Sequence, residues 1–327
     1  MASAAHLLVE QGRAGSAARR PFHRFAPAVP AFALACLLQA IGVQPSLGAQ
    51  TVLLALAVLA AMPHGGADLV VAGRLLRPSL GWAWLPVFGA AYLTPAATMI
   101  LAWATWPGLA LAAFLALSAL HFGLSDTAGR GEERIWAVPA WGGAPIVVPS
   151  LAHPDAVAAL FDVLAGASGV DLLILLRVPF AIGWAAIAMM YVARSVALDG
   201  LARWPVLEFL AMCIGLALLP PLLAFAIYFG ALHAPRALAA RAAELKLEPR
   251  RLLRLATGPS VAAAAAMIAA YLILTSIMPS GGAAIRALFI GLAALTAPHM
   301  LFDALVARLR RKGGGQRFAG RERSSHE

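Results

Sequence analysis

Apolar residues run along this chain in long blocks, broken by short polar, proline and glycine-rich breaks, with neither the alternation of a strand nor the narrow stripe of a soluble helix. The blocks fall at 28–44, 48–73, 83–105, 108–124, 135–153, 171–193, 205–219, 220–235, 256–278 and 283–306. A helix needs roughly 20 residues to cross the hydrocarbon core, so the blocks are read as membrane spans. Pro45 to Gly48, Pro107 with Gly108, Pro220 with Pro221, and Pro279 to Gly282 separate neighbouring blocks. The pattern predicts an all-α, polytopic transmembrane bundle of about ten spans. It divides the chain into a basic N-terminal tail (1–27), one helical membrane domain (28–306) and a basic, disordered C-terminal tail (307–327). Two divisions depend on more than hydropathy: 205–235 can be drawn as one broken helix, and the prolines of 135–153 allow a re-entrant segment.

Charge resolves the first of these. With the N-terminus cytoplasmic and ten crossings, the inner segments are 1–27, 74–82, 125–134, 194–204, 236–255 and 307–327. They hold all of the 25 Lys and Arg except Arg177 and Arg286, the asymmetry of a positive-inside topology. Merging 205–235 would carry the basic residues between Arg236 and Arg254 outside. Both termini are therefore expected in the cytoplasm. The net charge of +10 reads as topology and not as nucleic-acid binding, because the basic residues cluster between apolar runs without interleaved aromatics.

Composition agrees. The chain is 61% hydrophobic and 12% charged, against roughly 45–50% and about 25% in soluble domains. Cys36 and Cys213 lie in different runs, which excludes a disulfide framework and a thiolate metal site.

Against this background "LAAMPHGGADLVVAG", residues 59–73, is anomalous: it carries His64 and Asp68 inside lipid-like sequence. His121, His233 and His299 are likewise intramembrane, each in an even-numbered span and in its inner half, so four imidazoles stand on parallel helices at similar depth. His6, His23, His153 and His326 fall in tails or near an interface and read as solvated. Polar groups in hydrocarbon cost about 2.5–3.5 kcal/mol for a central charge, so they persist when paired or functional. Asp68 follows His64 by four residues, Asp303 follows His299 by four, and Asp126 follows His121 by five. Such carboxylates accept from an imidazole N–H of their own or a neighbouring helix and leave the other nitrogen free for metal. Glu208, alone in the seventh run, reads as lying near the outer surface. Neutral imidazoles without thiolate suit non-haem iron, zinc or copper, and spacing alone does not name the metal. An intramembrane metal or proton transporter is the alternative these groups allow.

"MPHGGAD" at 62–68, "LHFGLSD" at 120–126, "YFGALHAPRA" at 228–237 and "GLAALTAPHMLFDAL" at 291–305 resemble, in order, the four signature segments of the Brp/Blh family of membrane carotenoid oxygenases. The resemblance covers about residues 52 to 306. It implies an iron-dependent β-carotene 15,15'-dioxygenase of the cell inner membrane, splitting the central double bond of β-carotene with O2 into two retinals, usually for a rhodopsin. Its Fe(2+) ligands fall on His64, His121 and His233. The family's fourth ligand falls on Ala237, where this chain has no imidazole. The site then has three histidines, recruits His299, or has lost or altered activity. Asp68, Asp126, Asp303 and Arg236 are expected to support the ligands, and Phe122, Tyr228 and Phe229 to line a substrate tunnel. Gly65, Gly66, Gly123 and Gly230 either let helices approach or leave room for the polyene.

Overall fold

The structure, a computed structural model, describes residues 27–128, 134–197 and 203–323. The N-terminal tail expected at 1–27, with His6 and His23, lies outside these residues apart from Pro27, as does His326. All regular structure among them is helical. In chain order the helices are α1 (Ala28–Ala40), α2 (Leu47–Leu80), α3 (Trp84–Thr105), α4 (Pro107–Asp126), α5 (Arg134–Ala152), α6 (Pro154–Ala165), α7 (Ala167–Val196), α8 (Arg203–Leu218), α9 (Pro221–Ile227), α10 (Ala234–Leu245), α11 (Pro249–Thr275) and α12 (Ser280–Arg323). A π-helical segment, Tyr228–His233, joins α9 to α10.

Each apolar block is helical. Among the described residues seven helical stretches are long and apolar enough to cross a membrane; one of them, Leu47–Thr105, contains two blocks. Two more blocks form the shorter apolar helices Ala28–Ala40 and Trp204–Leu218. The outer surface is apolar: Ile41, Trp82, Leu109, Ile174, Leu175 and Ile277 are all exposed. Water would not tolerate such a belt, whereas hydrocarbon does, and helices satisfy every backbone group internally.

The breaks follow local chemistry. Ser46 caps α2 by accepting from the Ala49 N–H at 3.3 Å. Proline opens α4, α6, α9 and α11 in their first turn, where a missing N–H costs nothing. The prolines of 135–153 do not break the segment, since α5 runs through Pro139, Pro145 and Pro149. The short helix α6, with its apolar face on Val157, Phe161 and Leu164 buried, was not anticipated as an element. The tail expected to be disordered continues α12 as far as Arg323, consistent with the Ala, Leu and Arg that begin it being strong helix formers.

Helices α2, α4, α9 and α12 surround the centre of the bundle, with the main buried cluster drawn from all of them. Close approach is obligatory between α4 and α5. A Cβ on Gly123 would sit 2.1 Å from the Val138 carbonyl oxygen, and one on Gly142 would sit 1.9 Å from that of Ala119. Two backbones touch there because neither residue has a side chain.

Candidate metal centre

Four helices bring the histidines together. His64 follows Pro63 on α2, and His121 sits on α4 one turn before its end. His233 closes the π segment, and His299 follows Pro298 on α12. Ring centroids lie 4.9 Å apart for His121 and His233, 5.4 Å for His64 and His233, and 6.1 Å for His64 and His121. These three offer ligand atoms that all fall within 4.8 Å of one another. Nitrogens on one ion, at about 2.1 Å each, lie at most about 4.2 Å apart, so any pair at the wide end of that spacing closes by a few tenths of an ångström.

The hydrogen bonds decide which nitrogen is available. His64 Nδ1 lies 2.5 Å from the Ala61 carbonyl oxygen. A carbonyl only accepts, so Nδ1 carries the proton and Nε2 keeps its lone pair. His233 Nδ1 donates to Asp126 Oδ1 at 3.1 Å, and its Nε2 is buried without a partner. A buried, unpaired nitrogen is costly unless something binds it. That orphan, inside a cradle of two further imidazoles, is what a metal ligand looks like without its metal.

Asp126 is the keystone of this arrangement, and of the two histidines open to it, that of its own helix and that of a neighbour, it serves the neighbour's. Five residues on an α-helix are about 140° apart around the axis, so Asp126 turns away from His121 toward the π segment. There it accepts from the His233 ring and, through Oδ2, from the Tyr228 hydroxyl at 2.6 Å. Tyr228 and His233 are themselves five apart and would diverge on an α-helix. The wider π turn, with its i to i+5 bonding, returns both to one face. Its cause is local: the Ala234 N–H reaches back five residues to the Phe229 carbonyl, and Pro235 has no N–H to restore the tighter register.

Tyr228, expected to line a tunnel, is fully buried and donates its hydroxyl to Asp126, the carboxylate that holds His233. Phe122 and Phe229, both buried, pack on the His233 ring at 4.8 and 5.5 Å. Gly66, Gly123 and Gly230 stand at close helix contacts, and Gly65 faces open space.

His299 stands beside this cradle, its ring 5.1 Å from His121 and 5.8 Å from His64. Its own ligand atoms group with Asp68 and Asp303. Its Nδ1 lies 2.6 Å from Asp68 Oδ2, so Asp68 serves a neighbouring helix and not His64. Tyr92 donates to the same oxygen at 3.2 Å. Asp303 lies 3.6 Å from His299 Nε2 and accepts from Arg241 at 2.5 Å. The Arg241 guanidinium, also 3.6 Å from Asp68, supplies this second group with a cation of its own. Ala237 is one turn after His233 and one turn before Arg241, half-buried.

Arg236, expected to support the ligands, pairs with Glu208 and not with a ligand histidine. It donates to Glu208 at 2.5 Å and lies 5.3 Å over the Trp141 ring. Glu208, expected near the outer surface, is buried. A lone carboxylate in hydrocarbon is expensive, and Arg236 is the charge that offsets it. Tyr92 and Arg241 were missed as site residues. Arg241 reads as one more cytoplasmic charge, although the four-residue spacing from His233 through Ala237 places it on the same helix face. His153, expected to be solvated, precedes α6 and has a buried Nε2 without a partner.

Apolar helices around a cradle of three imidazoles, His233 buried and His64 and His121 half-buried, define a multi-pass membrane protein with a candidate histidine metal centre. The family model described as "Beta-carotene 15,15'-dioxygenase" matches residues 54–306, and the chain belongs to that family. It is 28% identical over 267 residues to the beta-carotene 15,15'-dioxygenase of an uncultured marine bacterium (66A03), covering 78% of this chain and 93% of that protein. It is 29% identical over 204 residues to the probable beta-carotene 15,15'-dioxygenase Blh of Halobacterium salinarum, covering 56% of this chain and 59% of that protein. No solved structure matches the chain.

Proposed function

We propose that this chain is an iron-dependent carotenoid dioxygenase that splits the 15,15' double bond of β-carotene with O2 into two molecules of retinal. The observation that carries the reading is the convergence of His64, His121 and His233 within the family region, with the His233 Nε2 buried and unpaired. A ferrous ion held by three imidazoles keeps open positions, and when bound it supplies dioxygen activation.

The chain's own residues do the rest. Asp126 holds the His233 ring in one tautomer, and Tyr228 fixes the carboxylate that does so. The Ala61 carbonyl fixes the tautomer of His64. Phe122 and Phe229 keep water from the cradle. The reaction breaks one C=C and one O=O bond and forms two C=O bonds, so it needs no proton donor, and these apolar walls provide none. A rigid hydrocarbon already dissolved in the bilayer is recognised by shape and dispersion, which suits walls of Phe, Leu and Ala. His299, held by Asp68, stands beside the three-histidine cradle and belongs to the second group with Asp303. Ten spans with both termini cytoplasmic, in the cell inner membrane, agree with the basic segments between the blocks. The retinal released would serve a rhodopsin.

Expression in cells that accumulate β-carotene tests the reading. Colour should bleach as retinal appears, and purified protein should carry one iron, lost together with activity in His233→Ala. Unchanged colour with altered metal uptake by the cells would instead indicate a transporter.

A further inference from the structure

We infer that one arm of the polyene seats in the crevice between α3, α4 and α12, a reading that rests on the carotenoid substrate proposed above. The crevice has a volume of about 540 Å³ and is walled by Pro95, Met99, Ala102, Ala113 and Ala297, with Trp106 at one end. Its foot lies at the level of the candidate centre. Tyr92, whose hydroxyl shares Asp68 with His299, stands three residues before Pro95 and seven before Met99, on the stripe of α3 that walls the crevice. Helices α3 and α12 run antiparallel here, since Phe88 packs on Phe302 at 5.5 Å on the other side of that level. The crevice thus starts about one turn from the histidines and leads away from them.

Its length matches half of the substrate. From Thr94 to Trp106 the wall of α3 extends about 18 Å at 1.5 Å per residue. A C40 polyene of roughly bilayer length, about 30 Å, has arms of about 15 Å on either side of its central bond. Seating one arm in the crevice therefore brings the central bond to the level of the imidazoles.

Its chemistry matches as well. The only hydroxyls in the wall, Thr94 and Thr98, are turned back on their own helix. They donate to the carbonyls of Ala90 and Thr94 at 2.8 and 2.9 Å. Apart from the Trp106 indole at the end, no side chain of the wall asks its occupant for a hydrogen bond, and four alanines, Ala102, Ala110, Ala113 and Ala297, leave the width that larger residues would fill.

Ala102→Phe and Ala113→Phe fill the crevice from opposite helices, while Ala104→Phe adds the same bulk to an exposed face of α3 outside it. Each protein is purified at full length in nanodiscs, and iron content, β-carotene affinity and kcat/KM are measured. The two crevice variants should lose at least about tenfold in both affinity and kcat/KM, a change of about 1.4 kcal/mol. Iron content should stay at the wild-type level and Ala104→Phe should behave as wild type. Wild-type affinity in both crevice variants, or equal loss in Ala104→Phe, overturns the inference and leaves an ordinary lipid groove. If the wild-type protein binds β-carotene without cleaving it and the crevice variants lose that binding, the dioxygenase reading falls and the crevice stands. If wild type does neither, both fall.

Discussion

Asp126 accepts two hydrogen bonds from residues with no solvent access, so its replacement isolates what the support of a ligand histidine contributes. Asp126→Asn keeps the size and one acceptor oxygen, and removes the negative charge that makes His233 a better donor. Loss of such a partner lowers metal affinity by about 10–100-fold, or about 1.4–2.7 kcal/mol. Both bonds are buried, at 3.1 Å to His233 and 2.6 Å from Tyr228, which places the expectation in the upper half of that range. Tyr228→Phe removes one bond and leaves the carboxylate in place, so its effect should be smaller, about tenfold. Because Tyr228 acts through Asp126, the double variant should bind iron no more weakly than Asp126→Asn alone. The assay is iron competition against a chelator with purified protein, alongside thermal unfolding to show that each variant is folded. Additive losses in the double variant, or undiminished affinity in Asp126→Asn, would refute the keystone role assigned to this carboxylate.

Other expectations are equally direct. His64→Ala, His121→Ala and His233→Ala should each abolish iron retention on purification, whereas His299→Ala should retain iron, because its ligand atoms group with Asp68 and Asp303; metal analysis separates the two outcomes. Ala237→His adds an imidazole one turn after His233 and should tighten iron binding by at least about tenfold if the natural cradle has three ligands; no change would mean that an existing group already serves. Glu208→Gln leaves the partly buried Arg236 without its carboxylate, a loss of up to about 3 kcal/mol that thermal unfolding will show and that a Glu208→Gln, Arg236→Met double variant should largely restore.

The bundle itself was legible because hydrocarbon imposes a one-dimensional rule: any run of about 20 apolar residues becomes a helix, whatever lies beside it. All ten blocks are helical for that reason, and the imidazoles stood out because lipid makes polar groups conspicuous. Pairings were another matter. Asp68 and Asp126 sit four and five residues from a histidine, yet each serves a histidine from another helix, His299 and His233. Spacing along one helix states which face a side chain occupies and says nothing of what faces it. Glu208 looked solitary for the same reason, since its partner Arg236 comes from another helix.

The chain alone therefore determined the helices, their apolar exterior and the candidate ligands, through local rules of hydropathy and proline chemistry. Which carboxylate holds which ring, that Tyr228 belongs to the centre and that Arg241 neutralises the second cluster were decided by tertiary packing. The π turn is the clearest case: a single wider turn rotates Tyr228 and His233 onto one carboxylate. Hydropathy cannot see it, because a change of register within a helix alters direction and leaves composition untouched.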